Sequence, residues 1–162
     1  MINILHMSPW PLGGSTSYVV NLAKTFEVAG VPYRVVRPAK KTERIQRQMG
    51  QYGVFYQNMA WDDIDCLDGV PLLASATTDV TAAKRAAVYV MDGGGRFVFH
   101  DPNEFRIYPH WNIEGTKDQT ICIRHTGLKH VNGVFIPHPY VRTYDDAPKR
   151  RRRRYAISIA RT

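Results

Sequence analysis

The sequence predicts one α/β domain built on a doubly wound, mostly parallel sheet. The short apolar run Ile2–Met7 is typical of a buried parallel strand, and Tyr33–Val36 supplies the next strand. Between them lie a loop with adjacent glycines and a segment with helical spacing of apolar residues, and this order makes a βαβ unit with a right-handed crossover. The chain of 162 residues, 44% of them hydrophobic, has room for one domain with a core and hardly for two.

The first helix follows the glycine loop, and Ser15 or Thr16 is the predicted cap. Gly30 ends this helix. A polar stretch over 40–51 is a second predicted helix, and 54–56 is a candidate strand. The apolar positions of the first helix follow a 3.6-residue period: Val19, Val20, Leu22, Ala23 and Phe26.

The second half of the chain continues the alternation of strands and helices. A strand over 72–75 precedes a helix over 79–91, for which Thr77 or Thr78 is the predicted cap and Gly93 to Gly95 the stop. Three further strands are predicted over 96–99, 120–124 and 133–136.

A change of composition after residue 140 marks the end of this domain. Residues 141–154 are polar and contain six consecutive cations, which is typical of a linker, and 155–162 contain a fresh buried-strand pattern. We therefore expect a domain over 1–140, a basic linker over 141–154, and the first strand of a truncated second domain over 155–162. The net charge of +8 is a property of the linker rather than of the domain.

Several features favour a cytoplasmic protein without a membrane span. No apolar run approaches the roughly 20 residues that cross a bilayer, and the N-terminus has no charged leader or cleavage site. Cys66 and Cys122 lack a CxxC pattern and are predicted to be buried thiols.

The loop that contains Gly13, Gly14 and Ser15 is the first candidate site. Adjacent glycines allow a ligand to approach the backbone, and the N-terminus of the following helix favours negative charge. The loop has neither the GxGxxG pattern nor the ending of a P-loop. The alternative is a tight turn that needs glycine only for packing.

His100 and Asp101 form the second candidate site, directly after the strand over 96–99. A histidine at a strand end can accept a proton from a hydroxyl group, and Asp101 can orient its ring. The alternative is a surface histidine in a turn. The other histidines have no metal-ligand spacing, so no metal is expected, and we interpret them as structural or solvent-facing: His6, His110, His125, His130 and His138.

Basic residues form the third candidate site, for an acceptor or an anion. Arg124 closes the strand over 120–124, and Lys149, Arg150 and Arg151 begin the run of six cations. Such a run attracts phosphate or nucleic acid through salt-sensitive electrostatics. The alternative, which is commoner, is a solvated linker.

The chain resembles, in order, the N-terminal half of a GT-B glycosyltransferase of the retaining, glycogen-synthase-like group. The resemblance lies in the first strand, the Gly13-Gly14 pair and the Leu22-Ala23 pair of a helix that ends at Gly30. The segment 99–102 resembles the strand-end histidine of that family.

Two later segments extend the resemblance to the end of the chain. Residues 134–138 resemble the motif that closes the first domain, although Pro139 stands where the family has glycine. Residues 156–161 resemble the first strand of the second domain.

The resemblance implies a Rossmann-like, acceptor-side domain of an enzyme that transfers a sugar from a nucleotide-sugar donor. It implies that Gly13 and Gly14 approach the donor phosphates, that His100 lies beside the transferred sugar, and that no cofactor or metal is needed. A separate C-terminal domain would bind the donor, so this isolated fragment is expected to be inactive.

The acceptor and the class of function stay open at this point. Phage DNA α-glucosyltransferases share the fold, and the basic linker favours a DNA acceptor, whereas a protein, lipid or glycan is at least as consistent with the pattern. The alternative from another class is a nucleic-acid-binding module that uses the basic run. A non-catalytic scaffold is the third interpretation.

Overall fold

The structure is a computed structural model that describes residues 1–8, 14–38, 43–75, 77, 79–99, 120–122 and 134–135. Strands and helices alternate along these residues, as the sequence predicts. The elements are β1 (Ile2–His6), α1 (Gly14–Val28), β2 (Tyr33–Arg37), α2 (Glu43–Gly50), β3 (Tyr56–Asn58), α3 (Trp61–Asp65), β4 (Val70–Ser75), α4 (Val80–Asp92), β5 (Arg96–Phe99), β6 (Thr120–Cys122) and β7 (Val134–Phe135).

The strands form one seven-stranded sheet in the order β3-β2-β1-β4-β5-β6-β7. Every neighbouring pair is parallel. The chain builds outward from β1 to β3, returns to the other side of β1, and then builds outward again from β4. This confirms the predicted α/β class and parallel sheet, and the arrangement is compatible with a Rossmann-like fold.

The core has two layers, one on each face of the sheet. Buried residues of α1 and α2 pack with Ile4, Val35 and Ala74 on one face. Buried residues of α3 and α4 pack with Leu5 and Leu73 on the other. Because side chains alternate along a strand, the adjacent residues Ile4 and Leu5 of β1 supply one layer each, and this explains why both are apolar.

Two helix starts differ from the prediction. Helix α1 begins at Gly14, so Ser15 and Thr16 lie inside its first turn rather than at the cap. Helix α4 is capped by Asp79, whose carboxylate accepts a hydrogen bond from the backbone N–H of Ala82 at 3.0 Å. The Thr77 hydroxyl instead accepts from the backbone N–H of Asp79, so it supports the cap without being the cap. Thr78 lies outside the described residues.

Two further local predictions need correction, and one helix was missed. The strand predicted over 54–56 lies at Tyr56–Asn58. The short helix α3 was not predicted, because its sequence WDDID offers only one residue, Ile64, that becomes buried. Cys66 is exposed and free rather than buried, since it follows α3 at the surface.

The boundaries over 1–140, 141–154 and 155–162 fall where the structure describes no residue, and they stay predictions. Within the part of the chain that is described, no helix is both long enough and apolar enough to cross a membrane.

Candidate functional site

Three adjacent strands end in buried polar side chains at one edge of the sheet. His6 ends β1, Arg37 ends β2, and Ser75 ends β4. Each of the three is at most 2% exposed. Strands are added on one side of β1 as far as β3 and then on its other side from β4 onward, so β1 and β4 flank the switch point of the sheet. Open parallel sheets bind ligands at the carboxyl ends of the strands at this point.

A bulge in β4 brings His6 and Ser75 together. Leu5 pairs with Leu73, but His6 pairs with Ser75, so Ala74 is the additional residue. Bulges of this kind re-aim a side chain and are common beside functional sites. Without it, His6 would lie opposite the methyl group of Ala74.

The hydrogen bonds of Ser75 define the protonation of His6. The Ser75 hydroxyl oxygen accepts from the backbone N–H groups of Met7 at 2.8 Å and Ser8 at 3.2 Å. Its own proton is therefore left for the His6 Nδ1 atom, 2.7 Å away. The other ring nitrogen then carries the proton and faces the Thr16 hydroxyl at 3.4 Å, which ties the ring to α1.

Burial and the charge of Arg37 keep this ring neutral. The pKa of His6 is lowered to about 3, chiefly by burial and further by Arg37. A ring that accepts a proton only in strong acid is a poor general base near neutral pH. Ser75, with both lone pairs occupied by N–H groups, is equally unsuited to attack a substrate, so the pair positions the chain.

Arg37 brings a positive charge into the site. Its Nη1 atom donates to the carbonyl oxygens of His6 at 3.1 Å and Ser8 at 2.8 Å, and its guanidinium lies 5.8 Å from the centre of the Tyr56 ring. Burial lowers the pKa of Arg37, while Tyr56 acts in the opposite direction. A guanidinium stays charged in a protein all the same.

This charge has no carboxylate partner among the described residues, whose ion pairs join only Lys24 to Glu27 and Arg85 to Asp62 and Asp65. The Nε atom of Arg37 also has no hydrogen-bond partner within that part of the chain. The local field at this edge of the sheet is therefore positive.

The N-terminus of α1 adds to the positive field. The Ser15 hydroxyl donates to the Ser8 hydroxyl at 3.2 Å, so the two ends of the glycine loop meet at its base. Gly14, the first residue of α1, is exposed, and a Cβ atom placed on it would meet no atom of the described residues within 4 Å. The N–H groups of a first helical turn point out of the end of the helix, and beside a buried guanidinium they are suited to bind an anion such as phosphate.

An apolar cavity of about 370 Å³ lies at the other end of the strands, between α1 and the sheet. Phe26, Val70, Pro71 and Val98 are among its lining residues. It shares no residue with the polar cluster, and we do not assign it to the same site.

The structure describes two of the residues that the sequence nominated. Gly14 and Ser15 lie at the carboxyl edge of the sheet, beside the polar cluster. Strand β5, which immediately precedes His100 in the chain, ends at this same edge because the whole sheet is parallel. The remaining nominated residues lie outside the described part of the chain: Gly13, His100, Asp101, Arg124, Lys149, Arg150 and Arg151.

Sequence reasoning missed Arg37 and Ser75 and assigned His6 no specific contacts. A signal was present, because each of the three is a polar residue at the end of an apolar strand. The bulge that pairs His6 with Ser75 has no comparable signal.

Comparison of the chain with protein families, with curated proteins and with solved structures finds no match. The site must therefore be interpreted from its own geometry.

Proposed function

We propose that this domain is the acceptor-side half of a glycosyltransferase, and that the edge of the sheet near His6 faces the diphosphate of a nucleotide-sugar donor. The transferred group is a hexose, and the acceptor is a hydroxyl group. The class of reaction comes from the resemblance of the Gly13-Gly14 loop and the segment 99–102 to GT-B enzymes.

One observation carries the proposal: the N-terminus of α1 opens at the switch point of a parallel sheet, beside a buried guanidinium without a described carboxylate partner. A phosphate placed there would gain from the helix dipole and from the positive charge of Arg37. In a metal-independent enzyme, such groups stabilise the negative charge of the leaving diphosphate.

The first test uses the complete native polypeptide, whose mass is compared with the 18.5 kDa of this chain. That polypeptide is incubated with uridine, guanosine and adenosine diphosphate sugars, and the released nucleoside diphosphate is measured with DNA, protein and glycan acceptors. We expect release from one donor that depends on one acceptor. Absence of release from every donor, with a second domain present in the polypeptide, would contradict the proposal.

Substitution of His100 tests its role in this reaction. We expect His100→Ala to lower kcat at least tenfold, since general acid–base or hydrogen-bonding groups contribute about 10²–10⁴-fold. Unchanged turnover would remove His100 from the site.

Gly14→Ala tests whether a ligand approaches the start of α1. The added methyl group meets no atom within 4 Å in the described part of the chain, so we expect the fold of that part to be retained. A donor bound at this backbone would be displaced, and we expect its KM to rise about tenfold. Ser17→Ala is the matched control, because Ser17 is also exposed on α1 and lies one turn further along the helix; an equal KM in both variants would place the donor elsewhere.

A further inference from the structure

The residues Met7 and Ser8, which lead from β1 into the glycine loop, are held on both sides by buried side chains. On one side, the N–H groups of both residues donate to the Ser75 hydroxyl, at 2.8 and 3.2 Å. On the other side, the carbonyl oxygen of Ser8 accepts from Arg37 at 2.8 Å. Arg37 also binds the carbonyl of His6, so its guanidinium spans the peptide groups at the exit of β1.

This arrangement uses a residue from each neighbour of β1. Arg37 comes from β2 and Ser75 from β4, and both side chains are nine-tenths or more buried. Burying a charged group is costly unless it is well bonded. Glutamine is uncharged and its side chain is shorter, so it could not replace the planar guanidinium that binds the two carbonyl oxygens.

We infer that Arg37 and Ser75 are positioning residues, which hold Met7 and Ser8 in place beside the N-terminus of α1, where the phosphates of the donor would bind. The inference rests on the proposed function for the identity of the ligand, but the contacts that carry it are independent of that function. With its carbonyls bound to Arg37, the chain enters the loop in one orientation. The hydrogen bond between Ser8 and Ser15 then fixes the distance between the loop ends. Ser8 and the start of α1 are thus held in place before the donor arrives.

Substitution of Arg37 in the full chain tests the inference with two readouts. The first is hydrogen exchange of the Met7 and Ser8 amides, which we expect to quicken at least tenfold in Arg37→Gln. The second is the KM of the donor identified above, which we expect to rise at least tenfold; kcat should fall as well, because Arg37→Gln also removes the positive charge that faces the leaving diphosphate. Arg37→Lys keeps the charge and a donor, and it should recover part of both effects.

Asn3→Ala is the matched control for loss of stability. Asn3 is a buried polar residue of β1 at the opposite end of the sheet, where its side chain bonds the carbonyl of Asp68 and the Tyr89 hydroxyl. It should lower the melting temperature without altering the KM or the exchange of Met7 and Ser8. Equal changes of KM in Asn3→Ala and Arg37→Gln would overturn the inference.

Ser75→Ala keeps the test decisive if Arg37→Gln fails to fold. It removes the hydroxyl that accepts from both N–H groups and leaves Met7 only its longer contact of 3.3 Å to the Ser75 carbonyl oxygen, while Arg37 stays in place. We expect the same rise in KM, and faster exchange above all at Ser8. Unchanged exchange of Met7 and Ser8 in this variant would overturn the inference whether or not the protein is a transferase. Faster exchange in a protein that turns over no donor would instead support the positioning role of Arg37 and Ser75 and reject the proposed function.

Discussion

The His6 ring connects the stability of the domain to pH. Its pKa is lowered to about 3 in the folded protein, through burial and the charge of Arg37, whereas an unfolded chain titrates near the ordinary value of 6.5. As pH falls below 6.5, the unfolded state binds a proton that the folded state does not. The contribution of His6 is therefore fully present above pH 6.5 and is lost progressively as pH falls toward 3.

We predict that the free energy of unfolding falls between pH 7 and pH 4 more steeply in the native protein than in His6→Gln. Each unit of pKa difference corresponds to about 1.4 kcal/mol, so the difference in loss is on the order of 3 kcal/mol. Urea unfolding at several pH values measures it, and the variant serves as the control for all other groups. Parallel curves would show that His6 is not neutral and buried as described.

Single residues also mark the limit of what the sequence can tell. Gly14 and Ser15 were nominated because a glycine loop before a helix is a local pattern, and their role as site residues stays a prediction. The partnership of Arg37 with Ser8 joins positions 29 residues apart in the chain and depends on which strands become neighbours. No pattern in a single sequence records that pairing.

Among the elements, the turn from α4 to β5 depends on close backbone packing. Gly95 lies so near β4 that an added Cβ atom would overlap the carbonyl oxygen of Pro71. Its neighbour Gly94 has a positive φ of 61° but open space around it. The sequence predicted this turn from its three glycines, although it could not say that Gly93 and Gly95 lie against Pro71 of β4.

We predict that Gly95→Ala destabilises the domain by at least about 2 kcal/mol, because the backbone of β4 must move to relieve the overlap. Gly94→Asn is the control, since asparagine tolerates a positive φ, and it should cost less than about 1 kcal/mol. Denaturant unfolding of both variants checks the difference. Similar losses in the two variants would mean that the conformation of the turn, and not its contact with Pro71, sets the requirement for glycine.

Elements with a strong local pattern were predicted well, and weak ones were not. The run of Ile2–Leu5 and the apolar stripe of α1 specify a strand and a helix because almost every position has one role. Helix α3 buries only Ile64 and was missed. The cap of α4 was misplaced because Thr77 and Asp79 are both good capping residues, and only the packed position of the helix decides between them.

For the whole molecule, the sheet is the most predictable property. The βαβ unit of β1, α1 and β2 predicts parallel strands, and the structure confirms the parallel sheet. The polar cluster at its edge is a consequence of strand order, so it emerges only once the whole sheet is assembled.

The distribution of charge predicts which part of the chain would bind DNA. Six of the eight net positive charges lie in Lys149–Arg154, so the remainder of the chain carries only +2. Binding to duplex DNA would then depend on this run, and log K should fall with log salt with a slope no steeper than about −5, since each neutralised phosphate contributes about 0.9. Fluorescence anisotropy with a labelled duplex over a series of salt concentrations measures the slope.

Replacing the six cations with serine should abolish this affinity while leaving the Arg37 and Ser75 contacts intact. If DNA is the acceptor, the same replacement should raise the KM for DNA and leave the KM for the donor unchanged, because the two ligands would contact different parts of the chain. If affinity instead persists in the variant with the same slope, the phosphates must contact other cations. The positive edge formed by Arg37 and α1 would then be the first place to search, with Arg37→Gln as the variant that decides it.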